Sequence, residues 1–200
     1  MNKFKIYANS EYLKHTIQGY FHTDYVRYGN PGNPDYLNDL KNTFNSYPKE
    51  KLHNAATKLY NALKEDLSNF DREFTVCVIP RSKAQNSYSL EQLFFKGVVK
   101  MLIEELGFND GSDYIIRHTD TKTTHLAHSK RGAEYAGDGS MPYPGITKDT
   151  CNISKDVKGK YILLIDDIYT KSVNIDEDAI QALLDNGAKS VIFYAIGKTK

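Results

Sequence analysis

The sequence predicts an α/β fold with a mainly parallel central sheet flanked by helices. Short apolar runs have the composition of strands buried on both faces, and amphipathic segments with helical spacing lie between them. Strands that alternate with helices favour parallel pairing through right-handed crossovers. The predicted strands of this sheet are 74–79, 113–117, 161–165 and 190–196, and the predicted helices between them are 89–106 and 176–186.

Composition restricts the functional classes. The chain has 200 residues, of which 40% are hydrophobic and 26% are charged, so it can bury one substantial core. Its formal net charge of +1 provides no global field to attract nucleic acid or an anionic membrane. A nucleic-acid partner is therefore unlikely, and any anion must be held by a local group of donors.

Cysteine usage and hydropathy favour a cytoplasmic protein. The two cysteines, Cys77 and Cys151, are far apart and lack CxxC partners, which argues against a disulfide framework and a structural zinc site. Cys77 falls inside an apolar run, so we expect it in the core. No apolar run approaches the roughly 18 residues that a membrane span needs.

The first 70 residues have a different character from the rest. Residues 1–30 are rich in tyrosine and roughly alternating, which predicts one or two short strands. A dense turn signal at 29–34 follows, and then a helix over Lys49–Leu67, with Pro48 suited to its first turn. We expect residues 1–70 to form an N-terminal cap or hood on a core formed by residues 71–200.

Boundary residues mark the first strand and the first helix of the core. Pro80 ends the strand at 74–79, and Gly107 is placed to end the helix at 89–106. Ser89 and Gln92 have the spacing of a capping box for that helix. Residues 119–155, by contrast, lack sustained periodicity and are rich in glycine and proline, which is typical of a long functional loop such as a lid, although a short strand pair is an alternative.

The segment 162–174 carries the most chemical information. Four apolar residues, 162–165, predict a buried strand, and Asp166 and Asp167 follow where the strand leaves the sheet. Open α/β sheets bind ligands at the carboxyl ends of their strands. Two adjacent acids repel each other unless they meet a hydroxyl-rich or cationic partner, such as a ribose diol with Mg²⁺ nearby. The following residues lead into a helix start, where backbone N–H groups can bind phosphate. The pattern indicates a sugar-phosphate site.

Three other interpretations fit less well. A Walker B strand requires an upstream phosphate loop, but Gly159-Lys160 is the only Gly-Lys pair before the acids and it precedes a strand. A response-regulator pocket needs paired acids near the first strand and more chain after them. A solvated turn with two surface acids is the simplest alternative.

Residues 166–174, Asp-Asp-Ile-Tyr-Thr-Lys-Ser-Val-Asn, resemble the ribose-5-phosphate motif of type I phosphoribosyltransferases. The segments 117–119 and 126–131 are similar to the flexible-loop region of the ComF-like branch of that family. The resemblance covers about residues 74–197. It implies the type I phosphoribosyltransferase fold, with an N-terminal hood and a long flexible loop, and the family's frequent dimers imply a possible homodimer.

The resemblance assigns roles to particular residues. Asp166 and Asp167 would bind the ribose hydroxyls of phosphoribosyl pyrophosphate (PRPP), directly or through the cofactor Mg²⁺, and are implied catalytic residues. A lid over 119–131 would close over PRPP, and Lys122, Lys130 or Arg131 would neutralise the leaving pyrophosphate. Of these, Lys122 and Arg131 are implied catalytic residues. The implied ribose-5-phosphate site is Asp166, Asp167, Ile168, Tyr169, Thr170, Lys171, Ser172, Val173 and Asn174, and the implied pyrophosphate site is Arg81, Ser82, Lys83 and Lys130.

The expected function is transfer of ribose 5-phosphate from PRPP to an unidentified acceptor, with release of pyrophosphate. The motif has three departures: Ser172 stands at the usual glycine, and Lys171 and Asn174 replace threonines. Lys171 could add charge to the phosphate site, whereas Ser172, Asn174 and the unassigned residues 1–70 favour an alternative. The alternative is a catalytically silent module that binds PRPP or a nucleotide and regulates or binds a partner. Arg117 is a candidate for binding an anion or for a salt bridge, and His125 and His128 are candidates for proton transfer in the lid.

Overall fold

A six-stranded sheet forms the centre of the protein. The computed structural model describes residues 1–41, 47–121, 146, 149–171 and 173–200. The strands of the central sheet are β1 (Asn2–Ile6), β2 (Ile17–Tyr25), β3 (Thr75–Val78), β4 (Asn109–Asp110), β7 (Tyr161–Tyr169) and β8 (Ser190–Thr199). β5 (Ile115–Arg117) and β6 (Cys151–Ile153) form a separate pair, and the helices are α1 (Tyr36–Lys41), α2 (Lys49–Leu67), α3 (Phe94–Leu106) and α4 (Ile175–Asp185).

The central sheet is mostly parallel, as the sequence predicts. Its strand order is β1-β2-β8-β7-β3-β4. All neighbours pair in parallel except β1, which is antiparallel to β2. The fold is therefore mixed α/β with a mostly parallel sheet flanked by helices.

The strand order reverses between β3 and β7. From β3 the chain passes through α3 to β4 on one side, whereas from β7 it passes through α4 to β8 on the other. Because parallel crossovers are right-handed, opposite directions of travel place the two helices on opposite faces of the sheet. The packing agrees, since Ile180 of α4 belongs to one buried cluster and Leu102 of α3 belongs to the other.

Several predictions about local structure are confirmed. α2 has the predicted bounds and buries Leu59 and Leu63 completely. β3 lies within the predicted 74–79, and Cys77 is fully buried in it. Gly107 ends α3 with a φ of 77°, a left-handed conformation that glycine adopts without strain.

The prediction that residues 113–117 form a strand of the central sheet is wrong. The residues that form a strand, 115–117, pair antiparallel with β6 outside the central sheet. On the side of β3 away from β7, the parallel neighbour is the two-residue β4, which pairs through Asn109 and Asp110. Polar residues form this short edge strand, so it lacks the apolar run that marks its neighbours. A strand pair does lie at the borders of the predicted loop, since β6 falls within 119–155.

Helix boundaries account for two further differences. α3 begins at Phe94 instead of Ser89, and two short 3-10 turns, 85–87 and 91–93, precede it. The predicted capping pair is half formed, because Ser89 N donates to Gln92 Oε1 at 3.1 Å. The sequence analysis missed α1, whose six residues are too few to show a helical period.

The first 70 residues contribute to the central sheet as well as to its cover. β2 pairs with β8 over six positions, and Ile6 of β1 is fully buried in the same cluster as α4. A division into a cap of 1–70 and a core of 71–200 stays a prediction. None of the helices in the described ranges combines the length and apolar character needed to cross a bilayer.

A buried carboxylate ties α2 to the sheet. Asp66 is 1% exposed, and its Oδ2 accepts a hydrogen bond from Tyr194 of β8 at 2.8 Å and lies 3.0 Å from His22 Nδ1 of β2. The hydrogen bond with Asp66 raises the pKa of His22 despite the opposing effect of burial. Burial favours a higher pKa for Asp66, but the hydrogen bonds from His22 and Tyr194 lower it overall. The folded state therefore favours a charged pair here.

The His22–Asp66 pair should stabilise the folded protein less as the pH rises above neutrality. A raised histidine pKa contributes stability that is complete below the ordinary value of 6.5 and is lost as the pH rises through the folded-state pKa. The Asp66 contribution is lost only as the pH falls through its lowered pKa. We expect His22→Gln to lower the free energy of unfolding by about 1 kcal/mol at pH 6 and by less at pH 9, measured by urea unfolding. The exposed His15→Gln is the control, and an equal loss at both pH values would contradict the assignment.

Candidate functional site

The two predicted ribose acids lie on a strand, not in the turn after it. β7 continues four residues beyond the predicted end and includes Asp166 and Asp167. Asp166 pairs with Ala195, and pairing with β8 continues as far as Tyr169. The prediction that the chain leaves the sheet after Ile165 is therefore wrong, and the connection to α4 begins at Thr170.

Because successive residues of a strand alternate between faces, the two carboxyl groups point to opposite sides of the sheet. Leu164 belongs to the buried cluster on the α4 side, which places Asp166 on that side. Ile165 belongs to the cluster that includes α1, α2 and α3, which places Asp167 there. The acids thus meet different neighbours, although they are adjacent in sequence.

Both acids nevertheless line one crevice, with a volume of about 550 Å³, at the carboxyl ends of β3 and β7. This is the position where the strand order reverses, and open α/β sheets bind ligands at such a point. The crevice brings together the predicted ribose acids and the predicted pyrophosphate residues of the loop after β3. Its predicted site residues are Arg81, Ser82, Lys83, Asp166, Asp167, Ile168, Thr170 and Val173.

A second cavity, of about 660 Å³, lies between the 30–35 turn, α1 and the start of α2. None of the predicted site residues lines it. We favour the crevice as the functional site because it lies at the carboxyl ends of the strands where the strand order reverses.

Lys41 is a component of the site that the sequence analysis missed. It is the last residue of α1, and its Nζ lies 2.8 Å from Asp167 Oδ2. The lysine side chain is 28% exposed and the aspartate side chain 18%. Burial lowers the pKa of Lys41, but Asp167, with a smaller contribution from Asp166, raises it overall. A lone lysine near a turn signal has no sequence pattern that could have identified it.

Asp166 has a different partner, the carboxyl group of Asp176 in the first turn of α4. Burial raises the pKa of Asp166 to about 7, and the adjacent Asp167 acts in the same direction. Burial and the neighbouring Asp166 raise the pKa of Asp176 as well, and the two carboxyls are hydrogen-bonded. That hydrogen bond lowers the pKa of Asp166 and raises the pKa of Asp176, a combination that favours one shared proton held by Asp176 and donated to Asp166.

Hydrogen bonds connect the loop after β3 to β5 and the residues that follow it. Arg117 is 1% exposed, and its Nε donates to the carbonyl of Arg81 at 2.8 Å. Thr121 donates through its backbone N to the Ser82 carbonyl at 2.7 Å, and Lys83 Nζ donates to the Thr121 carbonyl at 3.2 Å. The bond from Nε gives Arg117 a role in positioning the loop. The two roles considered for it from the sequence, an anion ligand and a salt-bridge partner, stay predictions.

The Arg81 guanidinium is also oriented by neighbours. One nitrogen donates to the Gln92 carbonyl at 2.7 Å, and the group lies 4.4 Å from the centre of the Tyr88 ring. A planar guanidinium stacks favourably on an aromatic face. The crevice therefore contains an arginine oriented by Gln92 and Tyr88 as well as the two acids.

The predicted phosphate segment runs from β7 into α4. Thr170 Oγ1 lies 2.7 Å from Thr199 Oγ1 at the end of β8, and Val173 N donates to the Thr170 carbonyl at 3.0 Å. Asn174, which precedes α4, has a φ of 59°, the only positive φ of a non-glycine residue in the described part of the chain. Asparagine tolerates this conformation better than most residues, so it suits the turn.

The acids that begin α4 are mostly buried. Asp176 and Glu177 are each 2% exposed, and Glu177 Oε1 accepts a hydrogen bond from Tyr169 at 2.8 Å. Asp176 Oδ1 has no hydrogen-bond partner within the described ranges. Negative charge at a helix start is favoured by the dipole, but it also opposes the approach of a phosphate.

Several predicted site residues fall outside the described ranges. They are the predicted functional residues of the lid and the residue at the usual glycine of the motif. These residues are Lys122, His125, His128, Lys130, Arg131 and Ser172.

Asp166 and Asp167 do not fit direct coordination of a magnesium ion in this arrangement. Asp167 Oδ1 accepts the Ile168 N–H at 2.7 Å, and its Oδ2 meets Lys41. Asp166 Oδ1 accepts the Asp167 N–H at 2.7 Å, and its carboxyl bonds to Asp176. Among the described residues, no three or more histidine, cysteine or acidic side chains are grouped so that they could hold a metal ion. Mg²⁺ as a cofactor stays a prediction.

Neither a protein-family model nor a curated protein matches the chain.

The Asp166–Asp176 pair should make the protein less stable as the pH rises. A raised carboxyl pKa contributes stability that is complete below the ordinary value of 3.8 and is lost as the pH rises through the folded-state value, about 7 for Asp166. In Asp176→Asn the amide can donate to an ionised Asp166, so that loss should diminish. We expect the variant to exceed the wild type in free energy of unfolding by on the order of 1–3 kcal/mol at pH 8, and by less at pH 4, measured by urea unfolding.

Asp185→Asn is the matched control on the same helix. Asp185 is exposed, and its hydrogen bond with Lys14 lowers its pKa, so the pH dependence should have the opposite sign. An Asp176→Asn variant that is destabilised equally at pH 4 and pH 8 would show that the two carboxyls do not share a proton.

Proposed function

We propose that the protein is a phosphoribosyltransferase with a type I fold. It would bind PRPP in the crevice and transfer ribose 5-phosphate to an acceptor, with release of pyrophosphate. One observation supports this most strongly: the acids at the end of β7 and the cationic loop after β3 line the same crevice at the reversal of strand order. A sugar diol and an anionic leaving group require these two kinds of side chain on opposite sides of one site.

The acids and the phosphate segment would hold the ribose 5-phosphate. Carboxylate oxygens accept hydrogen bonds from ribose hydroxyls, and both acids reach the crevice from one strand end. The 5-phosphate would lie against Thr170 and the turn that leads to Asn174, where backbone N–H groups precede a helix. Thr170 also lines the crevice, which places this segment next to the acids.

The cationic loop would receive the leaving group. In the transfer, the acceptor nitrogen forms a bond to ribose C1 while the bond from C1 to the pyrophosphate oxygen breaks, and the electron pair leaves with pyrophosphate. Arg81 and Lys83 can stabilise the charge that develops there, since charged donors bind phosphate strongly. Arg117 would act as a positioning residue, because it holds the Arg81 carbonyl.

A second candidate function is a silent module that binds PRPP or a nucleotide without turnover. The pairing of Asp167 with Lys41 and of Asp166 with Asp176 favours it, because a ligand must compete with these internal contacts. The buried acids at the start of α4 would also weaken a phosphate contact. Measured pyrophosphate release separates the candidates.

Calorimetry with ribose 5-phosphate tests the site that both candidates share. We expect the double variant Asp166→Asn, Asp167→Asn to lose at least about tenfold in affinity, which corresponds to about 1.4 kcal/mol. Asp113→Asn is the control, because Asp113 pairs with Lys96 and Lys100 away from the crevice. Unchanged affinity in the double variant, or no binding by the wild type, would contradict the proposal.

Incubation with PRPP and a panel of bases and amines tests the reaction itself. An enzyme should release pyrophosphate with at least one acceptor, and the double variant should not. Binding of PRPP without pyrophosphate release from any acceptor, and without hydrolysis, would favour the silent module.

A further inference from the structure

The crevice already contains a cation bound to one of its acids. The ammonium of Lys41 lies 2.8 Å from Asp167 Oδ2, and Lys41 also lines the crevice. The lysine is carried by α1, whose Leu37 and Leu40 are 1% and 2% exposed in the cluster that packs on the same face of the sheet. The helix that presents the cation is therefore fixed to the core.

The remaining oxygens of the acid pair are engaged by the chain as well. Asp167 Oδ1 accepts the Ile168 N–H and Asp166 Oδ1 accepts the Asp167 N–H, each at 2.7 Å. The Asp166 carboxyl is also hydrogen-bonded to Asp176. A magnesium ion binds oxygen at about 2.0–2.1 Å in an octahedral shell, so it could reach Asp167 Oδ2 only if the ammonium moved away.

A lysine ammonium and a magnesium ion can each reduce the repulsion between two adjacent carboxylates, but they do so in different ways. Two adjacent carboxylates at a strand end repel each other, and a nearby positive charge reduces that repulsion. A divalent ion must be recruited from solution, whereas Lys41 brings one compact positive charge that is covalently attached. Its ammonium has N–H donors only, so it can contact ribose hydroxyl or phosphate oxygens but cannot form a metal-like oxygen shell.

We propose that Lys41 is the resident cation of the ribose-phosphate site, takes the place of a divalent metal ion at Asp167, and makes binding of ribose phosphates independent of Mg²⁺. This inference rests on the proposed function, and it assigns Lys41 as a ligand-binding residue. The ion pair fixes the lysine beside the acid that would accept the ribose hydroxyls.

Calorimetry with ribose 5-phosphate, in excess Mg²⁺ and in EDTA, tests the inference on the unmodified protein. A single phosphate group chelates magnesium far less than pyrophosphate does, so this probe reports the requirement of the site. The wild-type affinities in the two conditions should differ by less than about twofold. Binding that requires Mg²⁺ would overturn the inference and leave the proposed function intact, whereas no binding in either condition would overturn both.

Substitution of Lys41 gives the second part of the test. Lys41→Gln should bind ribose 5-phosphate at least about tenfold more weakly in EDTA, and Mg²⁺ should restore most of the loss because Asp167 becomes accessible. Lys41→Arg should retain metal-independent binding. Lys51→Gln is the matched control, since Lys51 forms an ion pair of equal length, 2.8 Å, with Asp39 outside the crevice. Full affinity of Lys41→Gln in EDTA would overturn the inference.

Manganese binding measured by electron paramagnetic resonance gives a readout that involves no sugar phosphate. The Lys41→Gln variant should bind one Mn²⁺ that is lost on the additional substitution Asp167→Asn, and the wild type should not bind it. Equal Mn²⁺ binding by the wild type and Lys41→Gln would show that the lysine does not exclude the metal.

Discussion

The reversal of strand order between β3 and β7 is the constraint on which the site depends. Because the chain leaves the two strands in opposite directions, a crevice forms at their carboxyl ends. The loop at 79–83 and the strand end at 166–170 therefore border one crevice. Right-handed connections place α3 and α4 on opposite faces, so Asp166 and Asp167 each meet a different layer.

Charge compensation within the crevice follows from that arrangement. Asp167 faces the layer that contains α1 and meets Lys41, whereas Asp166 faces α4 and meets the acid Asp176. One carboxylate therefore pairs with a cation, whereas burial and the adjacent Asp167 raise the pKa of the other and favour a proton shared with Asp176. This difference explains how two adjacent acids coexist in a partly closed site, and it means that a ligand exchanges existing contacts for new ones.

The loop after β3 depends on the chain that the sequence analysis placed incorrectly. β5 lies outside the central sheet, and this displacement lets Arg117 reach the carbonyl of Arg81. A buried guanidinium that bonds a backbone carbonyl orients the loop. The position of the cationic side of the crevice therefore depends on the small sheet formed by β5 and β6.

The sequence predicted the features that continuous patterns encode. Apolar runs located β3, β7 and β8, and a helical stripe gave the bounds of α2, because each of these elements is buried along its length. Adjacent acids after an apolar run located one wall of the crevice. Features that depend on three-dimensional neighbours were missed: the polar β4, the extension of β7 through the acids, and the pairing of Lys41 with Asp167. No local pattern encodes these, since each is determined by an element distant in sequence.

Hydrogen exchange followed by mass spectrometry, with and without ribose 5-phosphate, tests the central claim most directly. If the crevice at the strand reversal is the binding site, amides in 79–84 and 166–175 should gain protection while those of α2 stay unchanged. Protection confined to the cavity between the 30–35 turn and α2, or no change at saturating ligand, would contradict the account.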